Sequence, residues 1–92
     1  MKKKKNWSVY IVRCRDGSLY TGISNDVKRR MEIHNTGRGA KYITPARRPV
    51  KLLYVEAGFC VSDALKRENA IKRSGKAAKE TLVKIKKKRK KP

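Results

Sequence analysis

Residues 7–23 form the pattern that constrains the fold most, two runs rich in β-branched and aromatic residues on either side of a turn signal. Trp7 to Cys14 is the first run, Asp16-Gly17 is the turn, and Ser18 to Ile23 is the second run. Such runs favour β-strands, and an Asp-Gly pair between them predicts an antiparallel hairpin. Because a lone hairpin is marginally stable in water, the segments that follow must cover it, and they decide the fold class.

A helix and a loop are predicted after the hairpin. Ser24 and Asn25 offer N-cap side chains, with Asp26 in the first turn, so we expect a helix from about residue 26 to residue 35. Asn35-Thr36-Gly37 is a typical end for such a helix. The segment 36–49 contains two glycines and two prolines and is predicted to be a loop.

The rest of the chain predicts one strand and two helices. The strand covers residues 50–57, and a helix follows from about 61 to 73, with Ser62 or its neighbour as cap. Ser74-Gly75 breaks this helix before a last one at 76–85. The order ββαβαα predicts an α/β fold, a small layer whose three-stranded, mostly antiparallel sheet is flanked by about three helices. We expect one domain, 7–83, between basic tails at 1–6 and 84–92.

The charge of the chain indicates its partner. There are 27 Lys and Arg residues against 7 acids, a net charge of +20, and the body 6–83 still has 16 basic and 7 acidic residues, hence +9. Such an excess predicts a polyanionic partner, because each phosphate neutralised releases condensed counterions. Nucleic acid is favoured over a lipid surface, since no segment pairs a basic face with a broad apolar one. On charge alone, a ribosome-associated or RNA-binding protein fits equally well.

Several other function classes are excluded. Two cysteines and one histidine fall short of a four-ligand zinc site and of a disulfide scaffold, so Cys14 and Cys60 are expected to be buried thiols in a reducing compartment. No run approaches the roughly 18 apolar residues that span a bilayer. The basic start lacks the unbroken apolar stretch and the cleavage site of a signal peptide. We therefore expect a cytoplasmic monomer without a membrane partner or a small-molecule cofactor.

Three polar residues fall on the apolar stripes of the predicted helices. Arg30 and His34 share a face with Val27 and Met31 on the first helix, and Glu68 lies near the middle of the face that carries apolar residues on the second. Burying such groups costs desolvation unless they are paired. Purely structural interpretations remain open. Glu68 could form an ion pair with Lys72, and Arg30 could extend to water. His34 could make an ordinary contact at the end of the helix. A cation, an imidazole and a carboxylate are also the components of a phosphate-and-metal site. The face expected to pack on the core comprises Val61, Ala64, Leu65 and Ile71.

Two tyrosines, Tyr10 and Tyr20, lie on the two arms of the hairpin, and the turn decides whether they meet. A two-residue loop would pair Tyr10 with Ile23 and place the phenols on opposite faces. A three-residue loop over 15–17, with Gly17 left-handed, would pair Tyr10 with Gly22 and place them on one face. The sequence alone does not choose between these registers. Since a shared site requires the second, we predict the bulged turn.

Taken in order, these residues resemble the GIY-YIG nuclease superfamily. Its two tyrosine motifs are matched by Ser8-Val9-Tyr10 and Tyr20-Thr21-Gly22, its basic helix by 26–31 with Arg30, and its acidic helix by 64–72. His34 follows Arg30 by one turn, where the family often has His or Tyr. The resemblance covers 7–73 and is nearest to short stand-alone bacterial members and to the catalytic domain of structure-specific junction nucleases. The departures are Ser8 for a glycine, Ile23 where some relatives have lysine, and the lack of a late asparagine after Asn69.

The resemblance implies a role for each site residue. Tyr10 would be the general base that activates water, with Tyr20 hydrogen-bonding beside it, and Arg30 together with His34 would hold the scissile phosphate. Glu68 would be the only protein ligand of one divalent ion, Mg²⁺ or Mn²⁺. A tyrosine with its ordinary pKa of about 10 can act as a base only if cations or the metal favour the phenolate. One carboxylate is enough for Mg²⁺, which retains several waters and accepts phosphate oxygens.

We therefore expect a metal-dependent endonuclease that hydrolyses phosphodiester bonds in DNA, in the setting of repair or recombination. No base-reading element is recognisable, so cleavage should be structure-dependent or weakly sequence-specific. The alternative is a non-catalytic basic module that binds DNA or RNA. The residues expected to contact nucleic acid are Arg13, Arg38, Lys41, Arg47 and Arg48.

Overall fold

The computed structural model describes residues 4–37 and 42–89, with side chains to Lys84. The elements are β1 (Trp7–Arg13), β2 (Leu19–Ser24), α1 (Val27–Asn35), β3 (Lys51–Phe59), α2 (Val61–Arg73) and α3 (Gly75–Arg89), with a 3-10 turn at Pro45–Arg47. The strands form an antiparallel sheet in the order β2-β1-β3. The predicted fold class, element order and antiparallel sheet are confirmed. Arg38 and Lys41 lie outside the described residues.

The hairpin between β1 and β2 has the bulged turn that was predicted. Gly17 has a φ of 89°, and its amide donates to the Cys14 carbonyl at 2.9 Å. The Cys14 amide donates to the Ser18 carbonyl at 2.8 Å, so three residues remain in the loop. Tyr10 consequently pairs with Gly22. The side chains of Tyr10 and Tyr20 therefore project from the same face of the hairpin.

Alternation along β1 gives the sheet two faces with different contents. On the first, Val9 and Ile11 pack with apolar residues of α2 and α3, and we call it the core face. On the second, Tyr10 and Val12 pack with Val27 and Met31 of α1 and with Ile43 and Val50, and we call it the site face. The buried residues of the core face are Val9, Ile11, Leu19, Ala64, Ile71 and Val83.

The predicted caps of the first two helices were wrong. Asp26, and not Ser24 or Asn25, is the N-cap of α1, where its carboxylate accepts from the Arg29 amide at 3.1 Å. The Ser24 hydroxyl instead accepts from the Asp26 amide at 2.9 Å and shapes the approach to the helix. At α2 the N-cap is Cys60, which makes no side-chain capping bond, and the expected cap Ser62 lies inside the first turn.

The predicted core face of α2 was too wide. Val61 and Leu65 are 44% and 49% exposed, whereas Ala64 and Ile71 are buried. Ala64 and Ile71 are separated by two helical turns and define a narrow stripe, and Val61 and Leu65 both lie to one side of it. α3 begins at Gly75 and extends beyond the predicted end at Ile85. The two cysteines are free and buried, as predicted.

Candidate active site

Tyr10 and His34 form a buried hydrogen-bonded pair at the centre of the site face. Tyr10 lies in the middle of the central strand and is 1% exposed, and His34, in the last turn of α1, is 0% exposed. The phenol oxygen and the imidazole Nε2 are 2.8 Å apart. Which atom donates depends on the histidine tautomer. In either tautomer a single proton is held between an oxygen and a nitrogen that can exchange it.

Burial keeps both members of this pair neutral. It raises the pKa of the Tyr10 phenol to about 12, with smaller increases from the Tyr20 phenol and the Glu68 carboxylate, while hydrogen bonding and charge from Arg30 lower it. Burial also lowers the pKa of His34 below its ordinary value of 6.5, and the Arg30 guanidinium lowers it further. At neutral pH the phenol is therefore protonated and the imidazole uncharged.

Gly22 leaves the space that the Tyr10 hydroxyl occupies. The two residues are cross-strand partners, and a Cβ built on Gly22 would lie 2.5 Å from the Tyr10 oxygen and 2.7 Å from the ring carbon that bears it. Real Cβ atoms do not approach other atoms so closely. The glycine of the Tyr20-Thr21-Gly22 motif is thus required by the position of the phenol and not by an unusual backbone conformation.

Tyr20 is held between the Tyr10–His34 pair and the segment that follows α1. Its ring centroid is 6.5 Å from that of Tyr10 and 5.5 Å from that of His34. Tyr42 stacks on it at 5.7 Å, with 22° between the ring planes. Arg47 in turn lies over the Tyr42 ring, 4.1 Å from its centroid. This stack orients the second tyrosine from a part of the chain that was predicted only as a loop.

Arg47 fastens that segment to the hairpin turn. Its Nε donates to the Asp16 carboxylate at 2.9 Å, and one terminal nitrogen donates to the Tyr42 carbonyl at 3.0 Å. Its own carbonyl accepts from the Arg15 amide at 2.9 Å. The hydrogen bonds of Asp16 with Ser18, and then its contact with Arg47, lower the pKa of the Asp16 carboxyl to about 2. The Asp-Gly turn is therefore both a hairpin signal and an anchor for Tyr42.

Glu68 reaches the site from α2. Its side chain is 17% exposed, and its carboxylate is 3.4 Å from the Lys72 ammonium, the i, i+4 ion pair that the structural interpretation proposed. The Lys72 ammonium lies 5.9 Å from the Tyr20 ring centroid, and the Glu68 charge raises the pKa of Tyr10. The carboxylate thus faces the site with a cation beside it and retains access to solvent. This environment fits a divalent ion that takes one carboxylate and keeps several waters.

All five predicted catalytic residues are brought together by this geometry. Tyr10, Tyr20 and His34 are in mutual contact. The positive charge of Arg30 lowers the pKa of Tyr10, and the negative charge of Glu68 raises it. His34, however, lies completely buried behind Tyr10 and does not present its Nε2 to the solvent. Its proximity to the phenol, and not to an external phosphate, is what the fold provides.

Two of the arginines that were predicted to contact nucleic acid already have acidic partners within the protein. Arg13 is on the core face and forms a two-pronged ion pair with Glu80, with nitrogen–oxygen distances of 2.8 and 3.3 Å. Arg47 is bound to Asp16, as described, and the Arg48 guanidinium packs against Gly37. The prediction that Arg13 and Arg47 contact nucleic acid took no account of these acids. Their part in binding remains a prediction.

Tyr42 and Lys72 were not singled out as site residues. An aromatic residue in an otherwise polar, basic loop was the signal for Tyr42, because such a side chain needs an apolar partner. For Lys72 the signal was its i, i+4 spacing from Glu68, which had been interpreted only as an alternative to function.

Comparison with known proteins agrees with this geometry. Residues 6–82 match the family model of the GIY-YIG catalytic domain. The chain belongs to the GIY-YIG family. The GIY-YIG match includes every residue of the site, from Tyr10 on β1 to Glu68 on α2.

The chain also belongs to the UPF0213 family. It is 51% identical over 76 residues to a UPF0213 protein of Streptococcus agalactiae, covering 83% of this chain and 85% of the relative. A UPF0213 protein of Staphylococcus aureus is 55% identical over 76 residues, covering 83% and 92%. These names state no activity.

Two solution NMR structures share the GIY-YIG fold seen here. The UPF0213 protein of Bacillus halodurans has a TM-score of 0.56 and 41% identity, over 87% of this chain and 84% of its own. A protein of E. faecalis has a TM-score of 0.59 and 38% identity, over 92% and 90%. Across residues 4–37 and 42–89, no helix is both long and apolar enough to cross a membrane.

Proposed function

We propose that this GIY-YIG protein is a metal-dependent endonuclease that hydrolyses phosphodiester bonds in DNA. The observation that carries the proposal is the buried Tyr10–His34 pair, with Arg30 and Glu68 acting on the same phenol. A module that only binds phosphates needs cations on its surface and has no use for a buried phenol linked to an imidazole. The charge of the protein supports a polyanionic substrate.

Tyr10 is assigned the role of general base towards the attacking water. Burial outweighs Arg30 and raises the pKa of the phenol to about 12, so the surrounding side chains do not favour the phenolate that the sequence-based expectation required. The phenol oxygen can nevertheless accept the proton of the water while its own proton passes to the Nε2 of His34, 2.8 Å away. Burial keeps the imidazole uncharged at neutral pH, so Nε2 carries a lone pair in the tautomer that has its proton on Nδ1. We therefore assign His34 to proton transfer instead of phosphate binding.

Arg30 is assigned to the scissile phosphate. Its guanidinium already lowers the pKa of Tyr10, so it stabilises negative charge at the reacting centre. A guanidinium donates two parallel hydrogen bonds to two phosphate oxygens and fixes their orientation. Tyr20, held by Tyr42 and His34, is assigned to orient the water or a phosphate oxygen beside Tyr10.

Glu68 is assigned to hold one divalent ion, Mg²⁺ or Mn²⁺, whose charge would polarise the phosphate and stabilise the leaving 3′ oxygen. Lys72 must leave the Glu68 carboxylate for this to occur, and its ammonium is then available to a neighbouring phosphate. Repair or recombination is the setting that we propose, because no base-reading element is recognisable in the sequence.

The proposal is tested by incubating the protein with labelled single-stranded, flapped and duplex DNA in Mg²⁺, in Mn²⁺ and in chelator. We expect cleavage of at least one substrate with a metal and none in chelator. Glu68→Gln should abolish cleavage while DNA binding remains. Glu80→Gln is the matched control, since Glu80 is also an ion-paired helical acid but lies with Arg13 away from the site.

The outcome that contradicts the proposal is binding without cleavage by the wild type on every substrate and with either ion. In that case the protein is a non-catalytic nucleic-acid-binding module. Cleavage that is lost equally in Glu68→Gln and Glu80→Gln would also contradict the role of Glu68.

A further inference from the structure

Two adjoining cavities lie at the end of the sheet where β1 begins and β2 ends. One has a volume of about 460 Å³ and the other about 490 Å³, and both are lined by Trp7 and Asn25. The first lies against α1, and the second extends to the start of α2 and to Lys4. Volumes of this size accommodate small organic ligands. They share Trp7 and Asn25, and we call the two cavities together the Trp7 groove.

The first cavity of the Trp7 groove shares one residue, Arg30, with the proposed active site. Arg30 forms part of the wall of the first cavity, and the same guanidinium lowers the pKa of Tyr10. A phosphate held at Arg30 would therefore have its neighbouring nucleotide at the mouth of the groove. Arg30 thus lies between the proposed scissile phosphate and the cavity that Trp7 lines.

The lining of the groove suits a nucleotide. Arg29, Arg30 and Lys4 supply positive charge, and Asp26, the acid in the wall, is engaged by its capping bond with the Arg29 amide. Trp7 is half-buried, so part of the indole is anchored in the core face while part borders the cavities. Aromatic rings flanked by basic residues are the usual means of binding unpaired bases.

Tyr42, the exposed aromatic residue nearest to Tyr20, is less suitable for this purpose. Its ring is already stacked on Tyr20 and covered by the Arg47 guanidinium. Trp7 has no such pair of partners in the part of the chain that the structure describes, and two cavities border it. The comparison favours Trp7 as the ring that receives a base.

We propose that the Trp7 groove binds an unpaired nucleotide of the substrate, with its base stacked on Trp7 and its phosphate at Arg30. This inference rests on the proposed function and narrows its substrate class to single-stranded DNA or the unpaired arm of a branched DNA. A base inside a duplex is covered on both faces by its neighbours and is unavailable to the indole. Duplex DNA would therefore bind through its phosphates without occupying the groove.

Intrinsic fluorescence tests the inference directly, because Trp7 is the only tryptophan in the chain. The wild-type protein is titrated, in chelator so that no cleavage occurs, with oligothymidylate, with a blunt duplex and with heparin. We expect oligothymidylate to quench the tryptophan emission at saturation, and the duplex and heparin to bind with little quenching. Saturated binding of oligothymidylate, measured by anisotropy, with unchanged emission overturns the inference. Equal quenching by heparin also overturns it.

A pair of variants separates stacking from packing. Trp7→Phe and Trp7→Leu both fill the core side of the position with an apolar group, but only phenylalanine offers a ring. We expect Trp7→Leu to bind oligothymidylate about 5- to 150-fold more weakly than the wild type and Trp7→Phe to retain most of the affinity, with duplex binding unchanged in both. Equal affinity of the two variants for oligothymidylate contradicts stacking.

The outcomes distinguish this inference from the proposed function. Cleavage by the wild type without quenching of the tryptophan emission supports the proposed nuclease activity and contradicts the role of Trp7. Quenching of the tryptophan emission without cleavage of any substrate supports base binding at Trp7 and contradicts the proposed nuclease activity. Measuring KM and kcat for the Trp7 variants adds a third readout, since loss of a binding contact raises KM for single strands more than it lowers kcat.

Discussion

The two faces of the sheet differ in the kind of side chain that they bury. On the core face, Val9 and Ile11 are completely buried among aliphatic side chains of α2 and α3. On the site face, Tyr10 is buried just as deeply, but its hydroxyl must meet the imidazole of His34. Burial of an apolar group stabilises the fold by itself, whereas burial of a polar group requires a partner in a fixed position.

Stability and the proposed chemistry are therefore separated by one residue along β1. At the centre of β1, a change at Val9 or Ile11 alters packing, and a change at Tyr10 alters the proposed reaction. The separation is incomplete at α2, which contributes Ala64 and Ile71 to the core face and Glu68 to the site. Variants on the two faces therefore test whether folding stability and cleavage are controlled separately.

The largest effect on stability is expected at Ile11, the neighbour of Tyr10 on the other face. Ile11→Ala removes a completely buried side chain and should lower the free energy of unfolding by about 2–5 kcal/mol. Denaturant titration measures this loss, and cleavage is then compared per folded molecule. We expect that rate to be near the wild-type value. A large drop in rate with unchanged stability would show that the two faces are not separate.

Gly22→Ala should affect the site face more than the core. The added methyl group must displace the Tyr10 hydroxyl, and a displacement of about 1 Å at a reacting group can lower the rate about 100-fold. In a Tyr10→Phe background the reacting hydroxyl is already gone, so displacing the ring, whose Cζ still lies 2.7 Å from the added carbon, should cause a much smaller further loss of cleavage. Single-turnover cleavage by the four proteins of this cycle measures the coupling. Additive losses would contradict the contact.

The site face should also make stability depend on pH. Since burial holds the pKa of His34 below 6.5, the unfolded chain takes up a proton more readily than the folded one. The stability that this provides is complete above pH 6.5 and is lost as the pH falls towards the pKa of the folded state. Denaturant midpoints measured across this range should decline. A midpoint that does not change below pH 6.5 would argue against a neutral buried His34.

The smallest stability effects are expected at two ion pairs, one on each side of the molecule. Arg13→Ala and Arg47→Ala remove pairs whose side chains are about one-third exposed, so each should cost less than about 1 kcal/mol. Only Arg47→Ala should also slow cleavage, because Arg47 holds Tyr42 on Tyr20. Equal cleavage rates for the two variants would contradict a role of the Tyr20–Tyr42–Arg47 stack in cleavage.

Much of the fold was predictable because local signals and the requirement of a shared site agreed. The register of the hairpin is the clearest case, since only the bulged turn at Gly17 brings Tyr10 and Tyr20 to one face. The face of α2 was predicted less well, because helical periodicity defines a stripe but not how the helix leans on the sheet. Val61 and Leu65 are exposed for that reason.

The environment of the site residues could not be predicted from their spacing. The sequence placed His34 one turn beyond Arg30, but only the packing of α1 on the site face turns it towards Tyr10. Likewise, the ion pair of Arg13 with Glu80 joins residues that are 67 positions apart. Such contacts depend on tertiary geometry, and so does the Trp7 groove, which forms where β1, β2 and two helices meet.

The central claim is that the Tyr10 hydroxyl takes part in cleavage, and single-turnover cleavage by Tyr10→Phe tests it most directly. Tyr54→Phe serves as the control, since Tyr54 is also a partly buried phenol but packs on the core face and bonds to Glu56. We predict that Tyr10→Phe binds DNA as the wild type does and cuts it about 100- to 10,000-fold more slowly, whereas Tyr54→Phe cuts normally. Cleavage by Tyr10→Phe at the wild-type rate would contradict the account.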